Sequence, residues 1–382
     1  MPAPESPEPL LLIGGPLHQL GRRLGLVRGS NTVLLGLVLG VGLWLVIVVL
    51  AVAEGITDRL FEMSVIAAHA RLLLVIPLFF VCESWIGPRT TAFIATIAAT
   101  GVVPPAAKPA LDAEVASTRR MVTSWWPEAV CLLVAIWLDV TGLRLQTYGV
   151  TGGYDSARSA LAFQVYFHVG LTLFRFQLFR AAWRLAVWTW FLWRVSRLDL
   201  RLIPGHPDRA GGLGPLEGVH ERLTPIVAAL SILESASMAE SISAGSVTMN
   251  AIYPWVAMLL LIDAVLFLGP MLVFTDKLWA TRTKGVGQYM GFAARYVSEF
   301  EAKWIGNQVS ASEHLLGTAD IQSLADLNNA IDVVKKMRWI TVSPRLLTMM
   351  MIAAVAPLAP LMLFEYPVTE LAQKFFSRLV GF

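Results

Sequence analysis

Ionisable side chains interrupt the apolar stretches of this chain, and they are the residues best able to do chemistry. Such a side chain in hydrocarbon costs several kcal/mol, so it normally faces a cavity, water or a partner. Two interpretations follow. The charges either form interhelical pairs, such as Arg71 or Arg175 with Asp263, or line a path for a proton or another solute. The stretches 65–86, 159–181 and 251–275 supply His69, Arg71, Glu83, His168, Arg175 and Asp263.

A polar stripe follows one side of the stretch 223–245. Serine hydroxyls and carboxylates can replace the hydration shell of a cation, and a buried glutamate can pass protons. Close packing of small residues between helices is the alternative interpretation. The residues that share this face at helical spacing are Ser231, Glu234, Ser235, Met238, Ser241 and Gly245, with Ser237 and Glu240 beside them.

A glycine-rich string, residues 203–214, is the most motif-like part of the sequence. Its glycines allow positive φ or a close approach of the backbone, so free amides could hold an anion with help from Arg209. Metal-binding residue types also occur here, although the spacing matches no zinc site or phosphate-binding loop and no metal can be named. A tight turn between two helices is the alternative. The candidate ligand residues are His206, Asp208, Arg209, Gly211, Gly212, His220 and Glu221.

Several function classes receive no support from the sequence. It has no Gly-x-Ser-x-Gly and no His-Glu-x-x-His arrangement, which favours a protein that is not an enzyme. No motif implies a cofactor. The net charge is only +3, which provides no basic field for nucleic acid. Cys82 and Cys131 both lie in apolar runs and are predicted to be small buried side chains.

The elements that position these residues are apolar runs long enough to be membrane spans. A hydrocarbon core of ~30 Å needs ~20 apolar residues in a helix. Of the 382 residues, 56% are hydrophobic and only 15% are charged, which is typical of a chain solvated by a lipid bilayer. Seven spans are predicted, at 33–53, 65–86, 127–144, 159–181, 223–245, 251–275 and 344–364.

The distribution of Lys and Arg predicts the orientation of these spans. With the N-terminal segment 1–32 inside, the loops 87–126 and 182–222 and the segment 276–343 are also inside, and they hold nearly all loop Lys and Arg. The C-terminal segment 365–382 is then an outer amphipathic tail. Arg180 and Arg184, near the inner end of the fourth span, are expected to snorkel to the headgroups.

The segment 276–343 is expected to form a small cytoplasmic helical module. Tyr289, Phe292, Tyr296, Phe300 and Trp304 recur every three or four residues and so share one face of a helix. A second helix is predicted for 320–337, and an amphipathic helix for 108–124.

The sequence therefore predicts an all-α, polytopic transmembrane bundle in the cell inner membrane. The first functional hypothesis is a transport protein, either an ion channel or a proton- or cation-linked carrier, with the stretch 223–245 lining the path. Two hypotheses from other classes stand beside it. One is a membrane enzyme with a metal or phosphate site at 206–221, and the other is a non-catalytic scaffold or sensor. A homo-oligomer is also expected, because one polar stripe needs neighbours to enclose a pore.

Overall fold

The computed structural model describes residues 11–141, 160–306 and 319–365. Within these ranges the chain is helical and has no β-strand; the nearest feature is one isolated bridge between Arg28 and Asn31. The predicted outer tail lies almost wholly outside the described residues, as does the link between the third and fourth predicted spans.

Besides a short 3-10 segment at Thr57–Phe61, ten helices make up the described fold. The N-terminal half contains α1 (Pro16–Arg23), α2 (Val33–Ala53), α3 (Met63–Ala99), α4 (Pro105–Thr123) and α5 (Trp125–Val140). Next come α6, which joins Leu161–Val165, Tyr166–Gly170 and Leu171–Ser196 without a break, and α7 (Gly214–Ser243). The last three are α8 (Met249–Trp304), α9 (Ala319–Lys335) and α10 (Pro344–Phe364).

Five of these helices, α2, α3, α7, α8 and α10, are long and apolar enough to cross a membrane. The pair α4 and α5 becomes a sixth candidate if the two helices, bent by 40° at their junction, form one span. The predicted span at 159–181 is not among the candidates, because Gln164, His168 and Arg175 interrupt the apolar part of α6. The described part of the chain is thus all-helical and is that of a multi-pass membrane protein, while the count of seven spans and their orientation stay predictions.

The central helices α3, α6 and α7 hold most of the buried residues, and the other helices pack round them. Small residues let α2 approach α3 closely. A Cβ at Gly36 would lie 2.7 Å from Phe80, and one at Gly40 would lie 2.3 Å from the Leu72 carbonyl oxygen. Gly36 and Gly40 therefore form a close helix crossing of the small-xxx-small type.

Four helices contain π-helical segments within their apolar parts: Val38–Gly42, Ala70–Val75, Tyr166–Gly170 and Ala264–Leu268. Such segments leave the regular hydrogen-bond ladder and often mark functional positions in helices. Arg71 and Tyr166 lie in two of these segments, and Asp263 immediately precedes a third.

Helices α8 and α9 form an antiparallel hairpin. Near the C-terminal end of α8, Lys303 pairs with Asp320 at 2.8 Å and the Tyr296 hydroxyl donates to the Asp320 carbonyl at 3.1 Å. At the other end, Arg282 donates to the Lys335 carbonyl at 3.1 Å. The sequence placed the second helix at 320–337 and the amphipathic helix at 108–124, and these correspond to α9 and to Lys108–Thr123 within α4.

Candidate functional site

Asp263 is a carboxylate enclosed by apolar side chains. Only 6% of the residue is exposed, and neither carboxylate oxygen has a hydrogen-bond partner among the described residues. It borders a cavity of about 40 Å³ between α7, α8 and α10. An ionised carboxylate without a partner is strongly disfavoured in such surroundings, so this position requires a proton or another cation. The cavity walls include Val227, Leu260, Phe267, Leu347, Met350 and Ala354.

Two charged residues are linked electrostatically to this position, Glu234 directly and Arg71 through Glu234. Arg71 is 3% exposed, donates to the Tyr166 hydroxyl at 2.7 Å and lies 5.9 Å from the centre of the Phe174 ring. The expected pair of Arg71 with Asp263 is not formed. Within the described ranges the guanidinium has no carboxylate at salt-bridge distance, so Arg71 is positioned mainly by aromatic residues of α6.

Glu240 joins α7 to the beginning of α3. Its Oε1 accepts the backbone N–H of Ala67 at 2.8 Å, in the first turn of that α-helical segment, where N–H groups lack intrahelical partners. Its Oε2 is buried and has no hydrogen-bond partner in the described part of the chain. A carboxylate at a helix N-terminus is also favoured by the helix dipole. Glu240 therefore has a structural role as a cap, and one oxygen remains unused.

The serines of the polar stripe are mostly satisfied by protein carbonyls. The Ser231 hydroxyl donates to the Ala354 carbonyl of α10, and the Ser241 hydroxyl donates to the Ser237 carbonyl at 3.0 Å. Ser235 is 8% exposed and borders a cavity of about 720 Å³ between α3, α7 and α10. Ser231 thus joins α7 to α10, and Ser241 bonds within α7 itself. Neither hydroxyl is free to line a water-filled path.

The two histidines predicted for the path have different surroundings. The His69 Nδ1 accepts the Trp44 indole N–H at 2.8 Å, so its Nε2 carries the proton and donates to the Leu60 carbonyl at 2.6 Å. The His168 side chain is 66% exposed and lies 2.8 Å from Asp139. It is therefore on the outside of the described bundle, away from Asp263. Arg175 is buried, with 5% exposed.

A second group of charges forms a buried ion cluster, defined as Glu83, Glu128, Arg180 and Arg184. Arg180 donates to both oxygens of Glu83, at 2.8 and 3.0 Å, and to Glu128 at 2.7 Å. Arg184 lies 2.7 Å from Glu83 and donates to the Gly14 carbonyl at 2.9 Å. The prediction that both arginines snorkel to headgroups is wrong, because two carboxylates from other helices hold them inside the bundle.

The loop 203–214 is organised by its own aspartate. Asp208 accepts the backbone N–H groups of Ala210, Gly212 and Gly214 at 2.7–3.2 Å. The amides expected to bind an anion are therefore occupied by Asp208. Burial raises the pKa of Asp208, but the three N–H donors outweigh it and hold that pKa below its usual range.

Glycine and left-handed backbone are required at specific points of this loop. Gly211 and Gly212 have φ of 66° and 98°, and a Cβ at Gly212 would lie 2.4 Å from Val102. Arg209, the other expected anion contact, also has a positive φ of 54°, and its side chain is exposed. Its carbonyl accepts the Arg338 N–H at 2.7 Å, which ties the loop to the segment before α10. The geometry is that of a tight, self-bonded turn.

The residues of this region whose types commonly bind metals interact with separate partners. His206 lies 2.7 Å from Asp208, whereas Glu221 faces Arg345 at 3.4 Å. His220 is fully buried, with its Nδ1 2.7 Å from the Phe267 carbonyl and its Nε2 accepting the Trp188 indole N–H at 3.2 Å. Among the described residues, no three His, Cys, Asp or Glu side chains converge as a metal site requires.

No family model, curated protein or solved structure matches this chain. The candidate site is therefore interpreted from its own geometry. That geometry brings Asp263, Glu234, Arg71 and Glu240 into one electrostatic group around α7. It leaves His168 and the loop 203–214 outside the group.

Proposed function

We propose that the protein is a proton- or cation-linked carrier of the cell inner membrane, with its path along the carboxylates of α7 and α8. The observation that carries the proposal is Asp263, a buried carboxylate with no hydrogen-bond partner among the described residues. Intramembrane carboxylates are costly to keep and typically mark ion pathways or proton relays. Glu234 places a second carboxylate within electrostatic reach of the first.

A carrier is favoured over an open channel by the state of the serines. The hydroxyls of Ser231 and Ser241 donate hydrogen bonds to protein carbonyls, so they are not free to bind a continuous column of water. A carrier needs only discrete binding positions that are exposed in turn to the two sides. The π-helical segments beside Arg71 and Asp263 are the places where α3 and α8 depart from regular geometry, which suits a change of conformation there.

The test is ion flux in liposomes that contain the purified full-length protein. We compare the wild type with Glu234→Gln and Asp263→Asn, which remove the charge and keep the shape. Asp112→Asn, on the exposed side of α4, is the matched control. The expected result is flux in the wild type and the control and a loss in both path variants. Absence of flux in the wild type, or unchanged flux in both path variants, would rule the carrier out.

A further inference from the structure

We infer that the cation bound at Asp263 is a proton and not a metal ion. This inference rests on the proposed function and names its coupling ion. The walls of the cavity of about 40 Å³ beside Asp263 are aliphatic, aromatic and thioether side chains. Hard cations such as Na⁺, Mg²⁺ or Ca²⁺ need several oxygen ligands, whereas a proton needs one lone pair of one carboxylate.

Two backbone oxygens of the cavity lining are engaged by side chains. The Ala354 carbonyl accepts the Ser231 hydroxyl, and the Phe267 carbonyl is 2.7 Å from the His220 ring nitrogen. These are the two cavity residues whose carbonyls receive side-chain hydrogen bonds in the described part of the structure. The other lining residues lie within helices, where backbone carbonyls point along the helix axis. The side-chain oxygens left to a metal ion are therefore those of Asp263 and, at longer range, Glu234.

The size of the cavity limits the other source of ligands, which is water. At about 40 Å³ it holds about three water molecules, if each needs ~10–15 Å³ of such volume. A metal ion that keeps most of its shell needs about six oxygen ligands in total. Asp263 and three waters fall short of this number, and the apolar walls cannot make up the difference.

The titratable and charged groups that face Asp263 are few. From α7 it faces Glu234, which in turn interacts with Arg71 of α3. The α10 side contributes Leu347, Met350 and Met351 to the cavity and no titratable group. A proton that binds an Asp263 oxygen removes the negative charge at once, without any further ligand. It can leave again by the same oxygen towards water or Glu234.

The experiment is labelling of the purified full-length protein, in lipid nanodiscs, with dicyclohexylcarbodiimide. This apolar reagent adds to protonated carboxyl groups in apolar surroundings, and mass spectrometry of peptides locates the adduct. At each of several pH values, samples of one ionic strength contain choline, sodium, potassium or magnesium chloride. The expected result is an adduct at Asp263 that decreases as pH rises and is the same in all four salts. Asp263→Asn provides the blank.

Protection of Asp263 by sodium, potassium or magnesium relative to choline would overturn the inference, as would no adduct at any pH. Neither outcome bears on whether the liposomes show ion flux, so the two failures are distinguishable. Flux driven by a sodium gradient, without acidification of the lumen, would keep the carrier and reject the proton. Absence of any flux would reject the carrier whatever the labelling shows.

Discussion

Removal of Arg180 should be far more damaging than removal of Arg194, although both lie on α6 and both bind carboxylates. The Arg180 side chain is 5% exposed and makes three hydrogen bonds to carboxylates, two to Glu83 and one to Glu128. Arg194 makes two hydrogen bonds to Glu114, and its side chain is 45% exposed. The pair Arg180→Ala and Arg194→Ala therefore isolates the effect of burial from that of residue type.

The magnitude follows from what each substitution leaves behind. Without Arg180, two buried carboxylates share the single guanidinium of Arg184, and breaking a buried ion pair costs about 3–5 kcal/mol. An exposed pair such as Arg194 with Glu114 contributes about 0–1 kcal/mol. At ~1.4 kcal/mol per factor of ten, the opening equilibrium should rise at least about 100-fold for Arg180→Ala and at most about fivefold for Arg194→Ala.

Cys82 offers a built-in reporter for this measurement. It is 2% exposed and adjacent to Glu83, so its thiol reacts faster when this part of the bundle opens. With Cys131 replaced by Ser in every sample, the labelling rate of Cys82 by a thiol reagent in mild detergent follows the opening equilibrium. Equal labelling rates in Arg180→Ala and Arg194→Ala would refute the reasoning about the buried ion cluster.

Three further predictions concern the loop and the hairpin. Asp208→Asn removes charge-assisted hydrogen bonds to backbone amides and should lower the free energy of unfolding by about 1.5–3 kcal/mol, measured by chemical denaturation. Gly212→Ala should lower the melting temperature, because its Cβ would overlap a neighbouring side chain and its φ is 98°. Gly218→Ala, which has open space round its Cβ, should leave the melting temperature unchanged. Hydrogen bonds from Lys303 and then Trp304 hold the pKa of Asp320 below its usual ~3.9. The hairpin contact is then present above pH ~4 and is lost as pH falls through the lowered pKa, so hydrogen exchange in α9 should accelerate there in the wild type. In Asp320→Asn the acceleration should be absent.

The sequence predicts the helices of this protein better than it predicts their partners. Apolar runs longer than about 18 residues identify a helix such as Val33–Ala53 almost to its ends, because length and composition decide whether a helix can span a membrane. The aromatic repeat at 289–304 likewise indicates a helix with one packed face. These are local signals, and each lies within a single element.

The buried charges are different, because their partners come from distant parts of the chain. Arg180 bonds Glu83 and Glu128, which are 97 and 52 residues away, and Glu240 caps Ala67 from a distance of 173 residues. No spacing rule within one helix can indicate such pairs. From the sequence alone, an arginine near a helix end is therefore expected to extend to the headgroups. The structure shows instead that Arg180 is buried between two carboxylates. Asp263 shows the opposite mismatch. An arginine partner is expected from the sequence, but the described residues give neither carboxylate oxygen a hydrogen-bond partner.

The most direct test of the central claim is an infrared measurement on the reconstituted protein. At neutral pH, the wild type is expected to have a C=O stretching band of a protonated, weakly hydrogen-bonded carboxyl group that Asp263→Asn lacks. This band is expected to disappear at alkaline pH as the proton leaves. Identical carboxyl bands in the two proteins at neutral pH would contradict the claim that Asp263 holds a proton inside the bundle.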